Sequence, residues 1–261
     1  MPSIMERKTK IFSSVIFLAL LLICWEIAAS VIDLSFVVPH PIPTFGVFFK
    51  LLTTASFWSI VAMTLIRIFL GLFLGIICGS LIAILSVRFR ILQGGIQSLM
   101  GIVKATPVAS FILVLWVIIG RDTVPAAIAL LMVTPIVYHN LFSGYNDLEK
   151  EKRELLSVFG VPFFTRVRIF ILPQLMKYMF PAVITATGLA WKAGIAAEII
   201  AYTQNSIGRE ISNAKNYLEG ELLFAWTIAV ILLSLLFEYG LKGLERKVLS
   251  VGRNPKSEQI L

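Results

Sequence analysis

Two charged side chains lie in apolar sequence where charge is costly. Lys192 sits in the run Gly188-Leu189-Ala190-Trp191-Lys192-Ala193-Gly194, and Glu198 follows six residues later. Six residues is about 9 Å along a helix and a different face, so the two do not pair within one helix. Ile195 and Ala196, at i+3 and i+4 from Lys192, offer no partner either. Lys192 needs an acid on another helix, a water-filled cavity or a bound anion, and both structural and functional roles fit. Arg67 is the other basic residue inside an apolar run, placed to reach the interface or to bond carbonyls of a neighbouring helix. No nucleophile–base pair accompanies these charges. His139 stands near a helix end without an evident relay, and Ser80 and Ser143 lack one too. His40 is the only other histidine, and Cys24 and Cys78 are the only cysteines, too few for a metal centre or a disulfide framework. A G-x-x-x-x-G-K phosphate loop is missing. The sequence therefore assigns this chain no catalytic residue, no metal and no cofactor of its own.

The elements that must hold these charges are membrane helices. Of 261 residues 58% are hydrophobic and 15% charged, and the mean hydropathy is +0.89. That leaves too little polar side chain to cover a water-soluble globule. Six stretches approach the roughly 20 apolar residues that cross a bilayer: 11–31, 60–87, 103–120, 124–141, 180–202 and 222–241. The formal charge of +8 follows the connections between them. Seventeen lysines and arginines fall on the side that carries both termini, and four on the other. This distribution predicts both termini in the cytoplasm and argues against nucleic acid as the reason for the basic balance. The first stretch has a basic start and ends in Ala28-Ala29-Ser30, as a cleaved signal does, but Trp25 and Glu26 interrupt the approach, and an uncleaved anchor is expected. Pro39, Pro41 and Pro43 predict an extended outer loop.

Small residues mark where helices approach closely. Gly71, Gly75 and Gly79 form two G-x-x-x-G steps. Ala182, Ala186, Ala190 and Gly194 form a second stripe on the span that carries Trp191, Lys192 and Glu198. Ordinary packing explains both stripes, and the second also suits a helix lining a pathway.

The segment 146–177 is too polar to span and too regular to be slack. Leu148, Leu155, Leu156 and Phe159 share one helical face, with Glu149 to Glu154 covering the rest. Gly160 is placed to end that helix in a left-handed conformation, and Pro162 to begin another with Phe163, Phe164, Val167, Phe170 and Ile171 on its apolar face. Leu172-Pro173 is expected to break it. Two short amphipathic helices on a glycine elbow suit either lipid headgroups or a cytoplasmic partner. The mixed charges between Asp147 and Glu154 favour a protein.

Glu154-Leu155-Leu156, Gly160 and Leu172-Pro173 resemble the EAA loop of ABC importer permeases. That pattern reads Glu-Ala-Ala, three residues, Gly, nine residues, Ile, one residue, Leu-Pro. The register is kept, with Leu155 and Leu156 for the alanines and Phe170 for the isoleucine. Trp25-Glu26, Val38-Pro39-His40-Pro41, Thr64-Leu65 with Arg67 and Gly71, Thr106-Pro107, Trp116, Gly188 to Trp191, Ala197-Glu198, Asn213-Ala214 and Leu244-Glu245-Arg246 extend the resemblance to the nitrate/sulfonate/taurine type of permease. The resemblance implies an all-α, polytopic inner-membrane subunit of six transmembrane helices, with the coupling loop between spans four and five. It implies one permease domain over 1–261, with a core of about 58–245. It implies a second permease copy, most simply a homodimer within membrane lipid, cytoplasmic ATPases docked on the loop, and an extracytoplasmic binding protein delivering solute. ATP hydrolysis would then belong to another chain. Glu154, Leu155, Leu156, Gly160, Leu172 and Pro173 would couple to the ATPase, and Lys192, Glu198 and Trp191 are candidates for the translocation path. The solute would be small and anionic or polar, of the nitrate, sulfonate, taurine or vitamin-precursor class. An ATP-independent carrier or channel, or an intramembrane enzyme, are the alternatives; neither accounts for a docking elbow.

Overall fold

The computed structural model describes residues 4–148 and 158–251. Every regular element among them is helical. Helix α1 covers Ile4–Ile32, α2 Pro41–Leu52, α3 Ala55–Arg88, α4 Arg90–Ala105, α5 Val108–Ile119 and α6 Val124–Asn146. After the undescribed stretch come a short helix α7 (Phe163–Arg166), a π turn (Val167–Ile171), α8 (Leu172–Ala201), α9 (Ile207–Asn216) and α10 (Gly220–Val251). Among the described residues five helical stretches are long and apolar enough to cross a membrane: Phe12–Ile32, Ala55–Arg88, Val124–Asn146, Phe164–Ala201 and Gly220–Gly243.

The sixth expected span, 103–120, is not one straight helix. Helices α4 and α5 meet at a bend of 98°. Pro107 has no N–H to give the ladder, and Thr106 before it is driven to an extended ψ of 132°. Helix α5 alone has 12 residues, about 18 Å, too short for the hydrocarbon layer. By length and composition the pair α4–α5 together is either a broken span or a re-entrant loop.

The proline-rich loop also differs from expectation. His40 is extended, with ψ 142°, but Pro41 opens α2, where the missing N–H would have no partner anyway. Trp25 and Glu26 of α1 grip this corner. Trp25 Nε1 donates to the Pro39 carbonyl at 2.9 Å, its ring stacks on Phe224, and Glu26 Oε1 lies 2.9 Å from His40 Nδ1. From Phe12 onward, α1 is otherwise mostly exposed on the outside of the bundle.

Helix α6 is the centre, packed between α3 and α8. The Gly71–Gly75–Gly79 stripe makes the first contact possible. A Cβ on Gly71 would stand 2.1 Å from the Ala126 carbonyl oxygen, and one on Gly75 2.7 Å from Val133 Cβ. Ala186 and Ala190 on α8 are fully buried, and Gly194 receives the side chain of Ile68. Both stripes thus lie at helix contacts, where small residues let backbones approach.

Candidate functional site

At the Ala201 end of α8 the chain turns through Tyr202, in the left-handed region at φ 53°, and Asn205 at φ 46°, then folds back as α9. Ser206 caps α9 by accepting from the Arg209 N–H at 3.1 Å. This hairpin is fastened to α3 through Glu198, whose side chain is wholly buried. Glu198 Oε2 accepts from Thr64 Oγ1 and from the Gly208 N–H, each at 3.1 Å. Thr64 Oγ1 in turn accepts from the Ile207 N–H at 3.0 Å. Arg67 Nη1 stands 3.9 Å from Glu198 Oε1. The same guanidinium donates to the carbonyls of Gln204 (2.9 Å) and Asn205 (3.1 Å). Gly208 is required for this approach, because a Cβ there would lie 2.4 Å from Glu198 Cβ.

The Glu198 carboxylate faces α3 and α9 and joins them as a latch. The expectation for Arg67 named neighbouring carbonyls, and those carbonyls belong to the hairpin loop. Sequence reasoning did not identify α9 as an element; Ser206 followed by a short amphipathic run was the available signal.

Lys192 points elsewhere. It is exposed and lines a groove of about 430 Å³ between α8 and α10, with Thr185, Ser234, Glu238 and Lys242. Trp191 forms part of the groove wall. It is buried, donates from Nε1 to the Val230 carbonyl at 3.2 Å and meets the Phe237 ring edge-on. Lys242 donates to Glu238 one turn earlier on α10. Lys192 and Trp191 therefore share one groove, and Glu198 does not.

The opposite end of α8 carries the elbow. Gly160 has φ 65°, the left-handed conformation its sequence position called for, with open space where a Cβ would stand. Val158, Phe159 and Phe164 around it are 82%, 74% and 84% exposed. Glu154, Leu155 and Leu156 lie outside the described residues. Leu172-Pro173 does not break the chain as expected. Helical structure runs on from α7 into α8 because the π turn at Val167–Ile171 widens the ladder, the Leu172 N–H bonding the Val167 carbonyl, and Pro173 falls in the first turn beyond it. The elbow is tied to the core where Tyr178 packs on Gly144 and donates to Asp147 Oδ2 at 3.1 Å.

Residues 71–250 match the family described as "Binding-protein-dependent transport system inner membrane component". The chain belongs to this family. It is similar to a taurine transport system permease protein of Escherichia coli (strain K12), 23% identical over 196 residues, covering 74% of this chain and 70% of the relative. It is also similar to a putative aliphatic sulfonates transport permease protein of Bacillus subtilis (strain 168), 22% identical over 236 residues, covering 88% and 84%. Its fold matches a crystal structure of an amino acid ABC transporter with histidines, at a TM-score of 0.62 and 18% identity, covering 74% of this chain and 93% of that one. The permease is thus a multi-pass membrane protein and the transmembrane subunit of an ABC importer, working with ATPase and binding-protein partners. The matched region begins at Gly71, so α1, α2 and the Thr64–Arg67 part of the latch precede it.

Proposed function

We propose that this permease carries a small organic anion inward, and that the elbow at Gly160 receives the ATPase. The observation that supports this reading most is the elbow itself. Three large apolar side chains stand exposed around a glycine at positive φ, at the start of a helical run that continues to Ala201. Exposed apolar surface of this kind is a contact surface in waiting. The excess of lysine and arginine on this side supports a cytoplasmic position for this end and both termini, where an ATPase resides. Glu154, Leu155, Leu156, Leu172 and Pro173 complete the docking segment by their register with the EAA pattern. Two copies pair to enclose the path within membrane lipid, and the whole chain acts as one permease domain. The named relatives transport taurine and aliphatic sulfonates. Such molecules carry a sulfonate that is ionised at neutral pH, which is the basis for assigning an anionic solute.

The test is to purify the assembly with its ATPase and binding protein and measure ATPase content and ATP-driven uptake. Gly160→Val should leave the chain inserted, weaken ATPase association and abolish uptake, because a β-branched residue is strained at positive φ. Glu154→Ala should act in the same direction more mildly. A full complement of ATPase with normal uptake in Gly160→Val would remove the elbow as the coupling element. For orientation, a reporter fused at Leu261 should report a cytoplasmic position and one near Lys215 an external position; the reverse would overturn the assignment of sides.

A further inference from the structure

The groove between α8 and α10 holds a charge arrangement that helix packing does not require. Side chains on a helix lean toward its N-terminus. Helices α8 and α10 run in opposite directions, so Lys192 leans toward the elbow end and Lys242 leans away from it. Both converge on Glu238. Lys242 is bonded to that carboxylate one helical turn away. Lys192 makes no hydrogen bond or ion pair of its own among the described residues, although Glu238 lies within reach of its charge. One carboxylate thus faces two ammonium groups, and it is Lys242, not Lys192, that holds the hydrogen bond to it. Lys192 lies well inside the span, nine residues short of Ala201, about 13 Å along the axis. A cation at such depth, exposed on the surface of the chain, belongs to a polar cavity or pathway and not to a lipid-facing surface. The groove, at about 430 Å³, has room for a small organic molecule, and Thr185 and Ser234 line it together with Lys192.

We infer that Lys192, with Ser234 and Thr185, binds the anionic group of a small sulfonate or carboxylate, and that Glu238 is a built-in competitor for the same ammonium group. The inference rests on the permease reading above and deepens it. A transport site must hold its cargo firmly enough to take it up and weakly enough to release it. Glu238 supplies the second half of that requirement. When the anion leaves, Lys192 turns to the carboxylate and is not stranded as a bare charge at membrane depth. Removing Glu238 should therefore tighten binding, the opposite of what its loss would do if it were an ordinary structural partner or a ligand-binding group.

The test uses the full chain in phosphatidylcholine nanodiscs at constant ionic strength. Sodium methanesulfonate is the probe, and Trp191 fluorescence is read by difference against Trp191→Phe. The wild type should give a saturable response. Lys192→Met should weaken it about tenfold or more, Lys192→Arg should restore it to within about threefold, and Glu238→Gln should strengthen it about fivefold, each tenfold step being the effect of losing one modest charge contact. Equal titration of wild type and Lys192→Met, or weaker binding in Glu238→Gln, would overturn the inference. Nanodiscs with added phosphatidylglycerol separate the sources of the anion. A methanesulfonate requirement that rises with phosphatidylglycerol assigns the site to a lipid phosphate, and an unchanged titration assigns it to a soluble solute. ATP-driven uptake by the assembled importer is measured in parallel. Failed titration with uptake intact removes this site and leaves the permease reading standing. Sound titration in a chain that never recruits an ATPase does the reverse.

Discussion

At its Ala201 end, α8 is held by a wholly buried carboxylate that takes two hydrogen bonds, faces an arginine and admits no side chain at Gly208. At its other end the same helical run is bordered by exposed Val158, Phe159 and Phe164, with a Tyr178–Asp147 hydrogen bond tying it to α6. The first end is over-determined, since α3, the α8–α9 loop and α9 fix one another through Thr64, Arg67 and Glu198. The second is presented for something else to fix. A helix secured at one end and open at the other transmits a push on its open end as a tilt about the secured one. The Lys192 groove lies between the two.

The contrast breaks most decisively at the latch. Glu198→Leu leaves Thr64 Oγ1 and the Gly208 N–H without their acceptor and Arg67 without its facing charge, and should cost about 3 kcal/mol or more, as breaking buried charged pairs does. Thermal unfolding in detergent should show a large fall in melting temperature, with poor yield; a wild-type melting curve would show that the hairpin is not held by this carboxylate. Gly208→Ala should follow closely, at about 1–3 kcal/mol, because its Cβ must displace Glu198. Glycine replacement at the elbow sharpens the comparison. Gly160→Ala meets no neighbour and loses only the left-handed backbone preference, about 1 kcal/mol, so the isolated chain should unfold only slightly earlier than wild type. If Gly160→Ala proved as damaging as Gly208→Ala, the elbow would be packed and not open. The smallest effect belongs to Tyr178→Phe, which loses one hydrogen bond to Asp147 while its ring still fills the space at Gly144. Its melting temperature should lie within about 2 °C of wild type, where a larger fall would reveal a second firm anchor.

The same two ends differ in how far the sequence reveals them. Gly160 and its exposed neighbours are legible because a turn at positive φ is a local requirement, written in one residue and its flanks. The stripe Gly71–Gly75–Gly79 is legible for a similar reason, since close approach needs small residues at a fixed step. The latch is not. Thr64 and Glu198 are separated by 134 positions, and nothing in either stretch names the other. Glu198 among alanines gives no sign in the sequence of the α9 backbone that bonds it. Thr106-Pro107 and Pro41 show a further limit. Proline excludes a helical hydrogen bond at its own nitrogen, but whether the chain bends by 98°, starts a helix or, after a π turn, continues past Pro173 depends on what lies around it.

The π turn at Val167–Ile171 has a consequence of its own. A π turn is an α-helix carrying one residue more than its turn needs. Because each residue of an α-helix advances the phase by about 100° and the axis by about 1.5 Å, a one-residue surplus fixes the azimuth of everything before it relative to everything after it. Phe164 and the Gly160 corner are thus clocked about 100° away from where an unbroken helix would aim them with respect to Lys192. Deleting one residue within Val167–Ile171 would leave both ends chemically intact and nearly the same distance apart. It would swing the elbow around the α8 axis by more than a quarter turn, so that the two surfaces no longer address the sides of the molecule they address now.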